Sequence, residues 1–173
     1  SYGFDQISSF LKEECHGGVW GCSDRQGFRF LIENLMNEGF KEPFQITLST
    51  LDLHLPFNMP KDCKLYPYKN NKILHLVHNV DDIFEEFVRN FKKSKYRNNT
   101  IIILTADHAM LPGSQYKKLF DDIFEPKYYD KVPLVIYDPT HILPKELDLI
   151  SSQVDILPSI LHLLDINIPN PFE

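Results

Sequence analysis

The apolar positions fall into blocks whose spacing changes along the chain. Phe28, Leu31, Ile32 and Leu35 recur at three and four residues, which places them on one stripe of a helix. Ser23 or Asp24 caps that helix, which runs to about Asn37 with Gly39 just beyond its end. Pro43 then opens a β-rich segment, Phe44 to Ser49, which reads as a central strand and leads directly into Thr50-Leu51-Asp52-Leu53-His54-Leu55-Pro56. A loop holding Pro56, Pro60 and Pro67 follows. From about Lys72 to Lys93, Ile73, Leu76, Val77, Val80, Ile83, Phe84, Phe87, Val88 and Phe91 return to helical spacing and predict a long amphipathic helix.

Thr100 to Leu104 is apolar and β-branched without alternation, the pattern of a strand covered on both faces. Val132 to Tyr137 reads the same way, and a last helix starts near Asp155, tolerates Pro158 in its first turn and continues through Ile160, Leu161 and Leu164. No repeat, low-complexity segment or linker interrupts this alternation. It predicts a layered α/β/α arrangement around a mostly parallel sheet.

Composition narrows the class. With 43% hydrophobic and 13% aromatic residues the chain has enough apolar mass for a core, so disorder is excluded. No apolar run is long enough to cross a bilayer, and no signal-like stretch opens the sequence. Eighteen basic against twenty-four acidic residues give a net charge of −6, which disfavours nucleic acid or an anionic membrane surface as the main partner. The basic cluster from Lys92 to Arg97 is read as the solvated end of a helix. Cys15, Cys22 and Cys63 lack CxxC spacing, so no zinc ribbon follows; a Cys15–Cys22 bridge is open in an oxidising compartment, but buried free thiols are the expectation.

In open α/β sheets ligands gather beyond the carboxyl ends of the strands. Asp107 and His108 stand there after the Thr100 to Leu104 strand, and a carboxylate beside an imidazole is a pairing that zinc or manganese accepts. Taken alone, Asp-His is a weak signal, since such a dipeptide more often caps a turn. His54 ends the earlier strand, with Pro56 fixing its loop, and is a candidate contact to a phosphate oxygen or a second metal; a lone His after a strand is more often a hydrogen-bonded loop residue. Of the other histidines, His16 and His141 have little to recommend them, and His75, His78 and His162 read as packing or surface residues. Asp52 and Asp155 are either partners that orient imidazoles or capping residues. No GxSxG elbow, Gly-rich phosphate loop or activated nucleophile is present.

Two stretches resemble a known superfamily. Tyr96-Arg97-Asn98-Asn99-Thr100 through Thr105-Ala106-Asp107-His108 resembles the sulfatase pattern in which "y-x-n-T" leads a buried strand into "T-x-D-H". Ser152-Gln153-Val154-Asp155-Ile156-Leu157-Pro158-Ser159 resembles its "s-x-V-D-I-x-P-T" helix. Trp20-Gly21-Cys22-Ser23-Asp24 and Thr50-Leu51-Asp52-Leu53-His54-Leu55-Pro56 are similar to the phosphoglycerol-transferase branch of the alkaline phosphatase/sulfatase superfamily, which includes lipoteichoic acid synthases.

The resemblance implies that residues 1–173 are the C-terminal portion of an incomplete, alkaline phosphatase-like catalytic domain. It implies Asp107 and His108 as metal ligands, His54 as a substrate contact, and a divalent ion (Mn, Zn or Mg) as cofactor. The nucleophilic Thr and the acidic ligand are expected before Ser1, upstream of a segment that Gly3-Phe4-Asp5 matches, so no catalytic nucleophile is expected here and the chain alone is expected to be inactive. The implied partners are a phospholipid head group and a glycan or polyol-phosphate acceptor. The implied setting is the periplasmic or extracellular face of a bacterial membrane, reached through an upstream segment. After Asp107-His108 the family continues with Gly or an aromatic residue, whereas Ala109-Met110-Leu111 follows here, so contacts beyond the pair do not carry over. Two other readings stay open: a sulfatase, and a non-catalytic domain that binds a glycan or a lipid head.

Overall fold

The computed structural model describes residues 21–67, 71–109 and 131–168. The chain divides into two compact units, residues 1–97 and 98–173.

In the first unit, helix α1 spans Asp24–Met36. Ser23 caps it: its hydroxyl accepts the Gln26 N–H while the Gln26 side chain returns to the Ser23 N–H, so two otherwise unpaired donors are satisfied together. Its far end closes where Glu38 takes φ +55° and the Gly39 N–H donates to the Asn34 carbonyl at 2.8 Å. Helix α2 spans Lys72–Phe91 and starts from Asn71, whose side chain accepts the Leu74 N–H. The apolar stripes of the two helices meet: the Phe28 ring packs edge-on to Phe84 and Phe87, while Ile83, Phe87 and Phe91 are buried along α2. Arg25 crosses the same seam almost wholly buried, donating to Asn79 at 2.8 Å and pairing with Asp82 at 3.3 Å, which offsets the cost of taking its charge out of water. Lys64 and Arg25 both hydrogen-bond Asp82 and pull its carboxyl below the usual range.

After α2 a 3-10 turn, Lys95–Asn98, buries Tyr96. Its hydroxyl donates to the Phe40 carbonyl at 2.8 Å and accepts the Phe40 N–H, tying the chain after α1 to the chain after α2. The basic cluster is solvated as expected, and Lys95 pairs with Glu38 at 2.9 Å.

The second unit holds strands β1, Ile102–Thr105, and β2, Leu134–Tyr137, then a 3-10 turn, Gln153–Asp155, that runs into helix α3, Ile156–Leu163. The strands pair antiparallel, with Ile102 opposite Tyr137 and Thr105 opposite Leu134. A mostly parallel sheet is the sequence expectation; this one described pair is antiparallel, as in mixed α/β sheets that carry an antiparallel strand. Coverage of both strand faces is also not seen: Leu104, Leu134 and Val135 are exposed. A third difference concerns residues 44–49, which are not part of a strand: the only ladder among the described residues joins β1 and β2. Cys22 is disulfide-bonded and Cys63 is free, which corrects the expectation of a free thiol at Cys22; Cys15 and His16 lie outside the described residues.

Candidate active site

β1 delivers the chain to Ala106, Asp107 and His108 just past its carboxyl end, where the ladder no longer dictates side-chain direction. Asp107 Oδ1 accepts the His108 N–H at 2.9 Å. His108 Nδ1 lies 2.7 Å from the Ala109 carbonyl, which only accepts, so Nδ1 carries the proton and the neutral ring keeps its lone pair on Nε2. That Nε2 stands 3.8 Å from Asp107 Oδ2, with both side chains largely exposed. Two ligands of one zinc ion, each about 2.0–2.2 Å away, stand roughly 3.0–3.5 Å apart, so the separation needs only a small side-chain adjustment to close on an ion. The residues fit a divalent metal in chemistry and spacing, as two donors of a larger set. Among the described residues no group of three His, Cys, Asp or Glu side chains gathers to hold one.

His54 belongs to the first unit, and Asp107 and His108 to the second. Its turn is built locally: the His54 N–H donates to the Leu51 carbonyl and the Phe57 N–H to the His54 carbonyl, while Phe57 is buried at φ +57°. Asp24 anchors the turn from α1, its Oδ1 accepting the N–H groups of Leu51 at 2.6 Å and Asp52 at 3.2 Å. Gly21, at φ +146°, opens the approach to α1 in a conformation that side chains disfavour. His54 Nδ1 lies 2.8 Å from the Leu55 carbonyl, the same tautomer logic as at His108, with the ring exposed.

Beneath that turn Asp24 and Asp52 are both buried, and one carboxylate oxygen of each has no hydrogen-bond partner among the described residues. Burial first, and the nearby Asp24 charge second, push Asp52 up to about 7. Asp24 is raised too, chiefly by burial, against the pull of its two backbone hydrogen bonds. Among the described residues no hydrogen bond joins Asp52 to an imidazole, and Asp155 is a capping residue that accepts the Ser152 N–H at 2.7 Å. His75 is buried and accepts the Tyr66 N–H, and the His78 ring stacks on Tyr66 at 3.7 Å.

Two features of the second unit escape sequence reasoning. Asp138, just past β2, accepts the Thr140 N–H, the Thr140 hydroxyl and His141 Nδ1. Although burial raises its carboxyl, these bonds together bring it down to about 2. The Asp-Pro-Thr turn signal is its only trace in the sequence. The antiparallel register puts this knot at the end of the pair opposite to Asp107 and His108. The other feature is Gln153, whose Nε2 donates to the carbonyls of Ala106 at 2.9 Å and Asp107 at 2.6 Å.

The family model described as Sulfatase matches residues 2–166. The chain belongs to the sulfatase family. Among the relatives of this sulfatase-family chain, "Phosphoglycerol transferase I" of Xanthomonas axonopodis pv. citri is 33% identical over 127 residues, 65% of this chain and 18% of that protein. "Lipoteichoic acid synthase 2" of Bacillus subtilis is 24% identical over 177 residues, 95% of this chain and 27% of that protein. The chain thus spans about a quarter or less of these two curated relatives. The solved structure of the lipoteichoic acid synthase LtaP from Listeria monocytogenes matches with a TM-score of 0.71 at 22% identity, covering 93% of this chain and 43% of that one. This likeness shows the fold, an α/β architecture.

Proposed function

We propose that the protein is a metal-dependent phosphotransferase that moves phosphoglycerol, or a related head group, from a phospholipid to a hydroxyl of a cell-envelope glycan or polymer. The observation that carries this reading is the Asp107–His108 pair. Asp107 Oδ1 and His108 Nδ1 are engaged by neighbouring backbone, and Oδ2 and Nε2 stand 3.8 Å apart at the end of a strand. A bound divalent ion, manganese, zinc or magnesium, would supply Lewis-acid polarisation of the phosphoryl oxygen and activation of the nucleophile.

In this reading Asp107 and His108 hold the ion, and a Thr outside these 173 residues attacks phosphorus. The P–O bond to diacylglycerol breaks, diacylglycerol leaves with a proton, and the acceptor hydroxyl later displaces the Thr oxygen from the same phosphorus. His54 contacts the phosphoryl or glycerol group. In that position its imidazole would help offset the charge on the phosphoryl oxygens. The names of the relatives favour phosphoglycerol over sulfate esters, and the Cys22 disulfide fits an extracytoplasmic compartment, with the membrane reached through a segment outside these residues.

Substituting a ligand tests the assignment. His108→Ala in the complete enzyme is expected to lose bound metal and nearly all turnover, measured by elemental analysis and by release of diacylglycerol. Full turnover with unchanged metal content would show that His108 is no ligand.

A further inference from the structure

We infer that Gln153 is the residue that positions the Asp107–His108 pair for its ion; this rests on the reading of that pair as metal ligands. β1 ends at Thr105, so the carbonyls of Ala106 and Asp107 lie beyond the strand ladder. The two hydrogens of one Gln153 amide nitrogen go to these two successive carbonyls, at 2.9 and 2.6 Å. The peptide planes on either side of Asp107 are thereby fixed, and with them the direction in which the Asp107 and His108 side chains leave the backbone. Among the described residues no other hydrogen bond ties residues 106–109 to a distant part of the chain: the His108 N–H and Nδ1 bonds stay within that stretch.

Gln153 is itself well held. It opens the 3-10 turn Gln153–Asp155, whose start is closed by the Ser152 N–H on Asp155 Oδ2 at 2.7 Å, and the Ser159 hydroxyl on the Asp155 carbonyl continues the brace into α3. The amide is thus carried by the start of a helix and reaches across 46 residues of chain to the ligand loop. A primary amide suits this role because it presents two donors from one nitrogen, whereas Glu presents none and Asn is one methylene shorter. The side chain is exposed, so its loss leaves no cavity in a core.

The experiment compares Gln153→Met, which keeps the length and removes the donors, Gln153→Asn, which keeps the amide and loses the reach, and His108→Ala, all in the complete protein. Each is stripped of metal and titrated with Mn2+ by electron paramagnetic resonance, and the melting temperature of the metal-free form is recorded. Loss of such a supporting contact typically weakens metal affinity by about 10–100-fold. Both Gln153 variants are expected to show that loss with the metal-free melting temperature unchanged. Parental Mn2+ affinity in both, with His108→Ala deficient, overturns the inference and leaves the site reading intact. A metal-free melting temperature that falls in step with affinity in both also overturns it, because Gln153 then serves the fold. Parental affinity in His108→Ala removes the site reading itself.

Discussion

Asp52 is 5% exposed, two residues before His54, and the charged groups that act on it are Asp24, Asp62 and Arg25. Its carboxyl stands at about 7 against an ordinary 3.8. Below the ordinary value both folded and unfolded chains hold the proton. Between 3.8 and about 7 the folded chain keeps it while the unfolded chain releases it, so stability falls as pH rises through that window and stays reduced above it. Asp24, raised as well chiefly by burial, acts in the same direction. Asp52→Asn removes the buried charge and is expected to raise the melting temperature more at pH 8 than at pH 5; an equal change at both pH values would contradict the raised carboxyl. The place of Asp107 and His108 just past the end of a strand was legible because strand pattern and motif coincide at one point in the sequence. The bonds of Asp24 and Gln153 were not, since they span 27 and 46 residues and nothing local marks such a partner.

At the scale of elements, helix capping and periodicity were readable wherever partner and cap lie within a few residues. Ser23 with Gln26 and the stripe from Ile73 to Phe91 are of this kind. Strands are different, because a strand exists only with its neighbour: residues 44–49 carry the β-rich pattern yet remain unladdered, and no local pattern told the direction of the β1–β2 pairing. The helix seam makes a quantitative claim. Phe91 is 1% exposed and its ring stacks on Phe87 at 6.1 Å, whereas Phe30 is 41% exposed. Phe91→Ala is expected to cost about 3–5 kcal/mol by chemical denaturation, while Phe30→Ala stays within about 0.5 kcal/mol. A loss at Phe91 no larger than that at Phe30 would place the core elsewhere.

The whole molecule consists of two compact units that share one family match across residues 2–166. Its apolar surface is extensive: Val135, Ile142, Leu147 and Ile150 are all exposed, in a chain that matches 43% of the solved LtaP chain. Exposed strand and loop residues of this kind are the surfaces that further layers of an α/β domain bury. No helix among the described residues is long and apolar enough to cross a membrane. The class of fold was readable from alternating elements and two motifs, while the described residues bring together no group of three His, Cys, Asp or Glu side chains. The most direct test of the proposed activity incubates the complete, manganese-loaded protein with vesicles of labelled phosphatidylglycerol and, in parallel, with an aryl sulfate. Diacylglycerol release that requires the metal and His108, with the sulfate untouched, is the result expected for a phosphoglycerol transferase. Sulfate ester hydrolysis without diacylglycerol release would contradict it and make the protein a sulfatase in activity as well as in family.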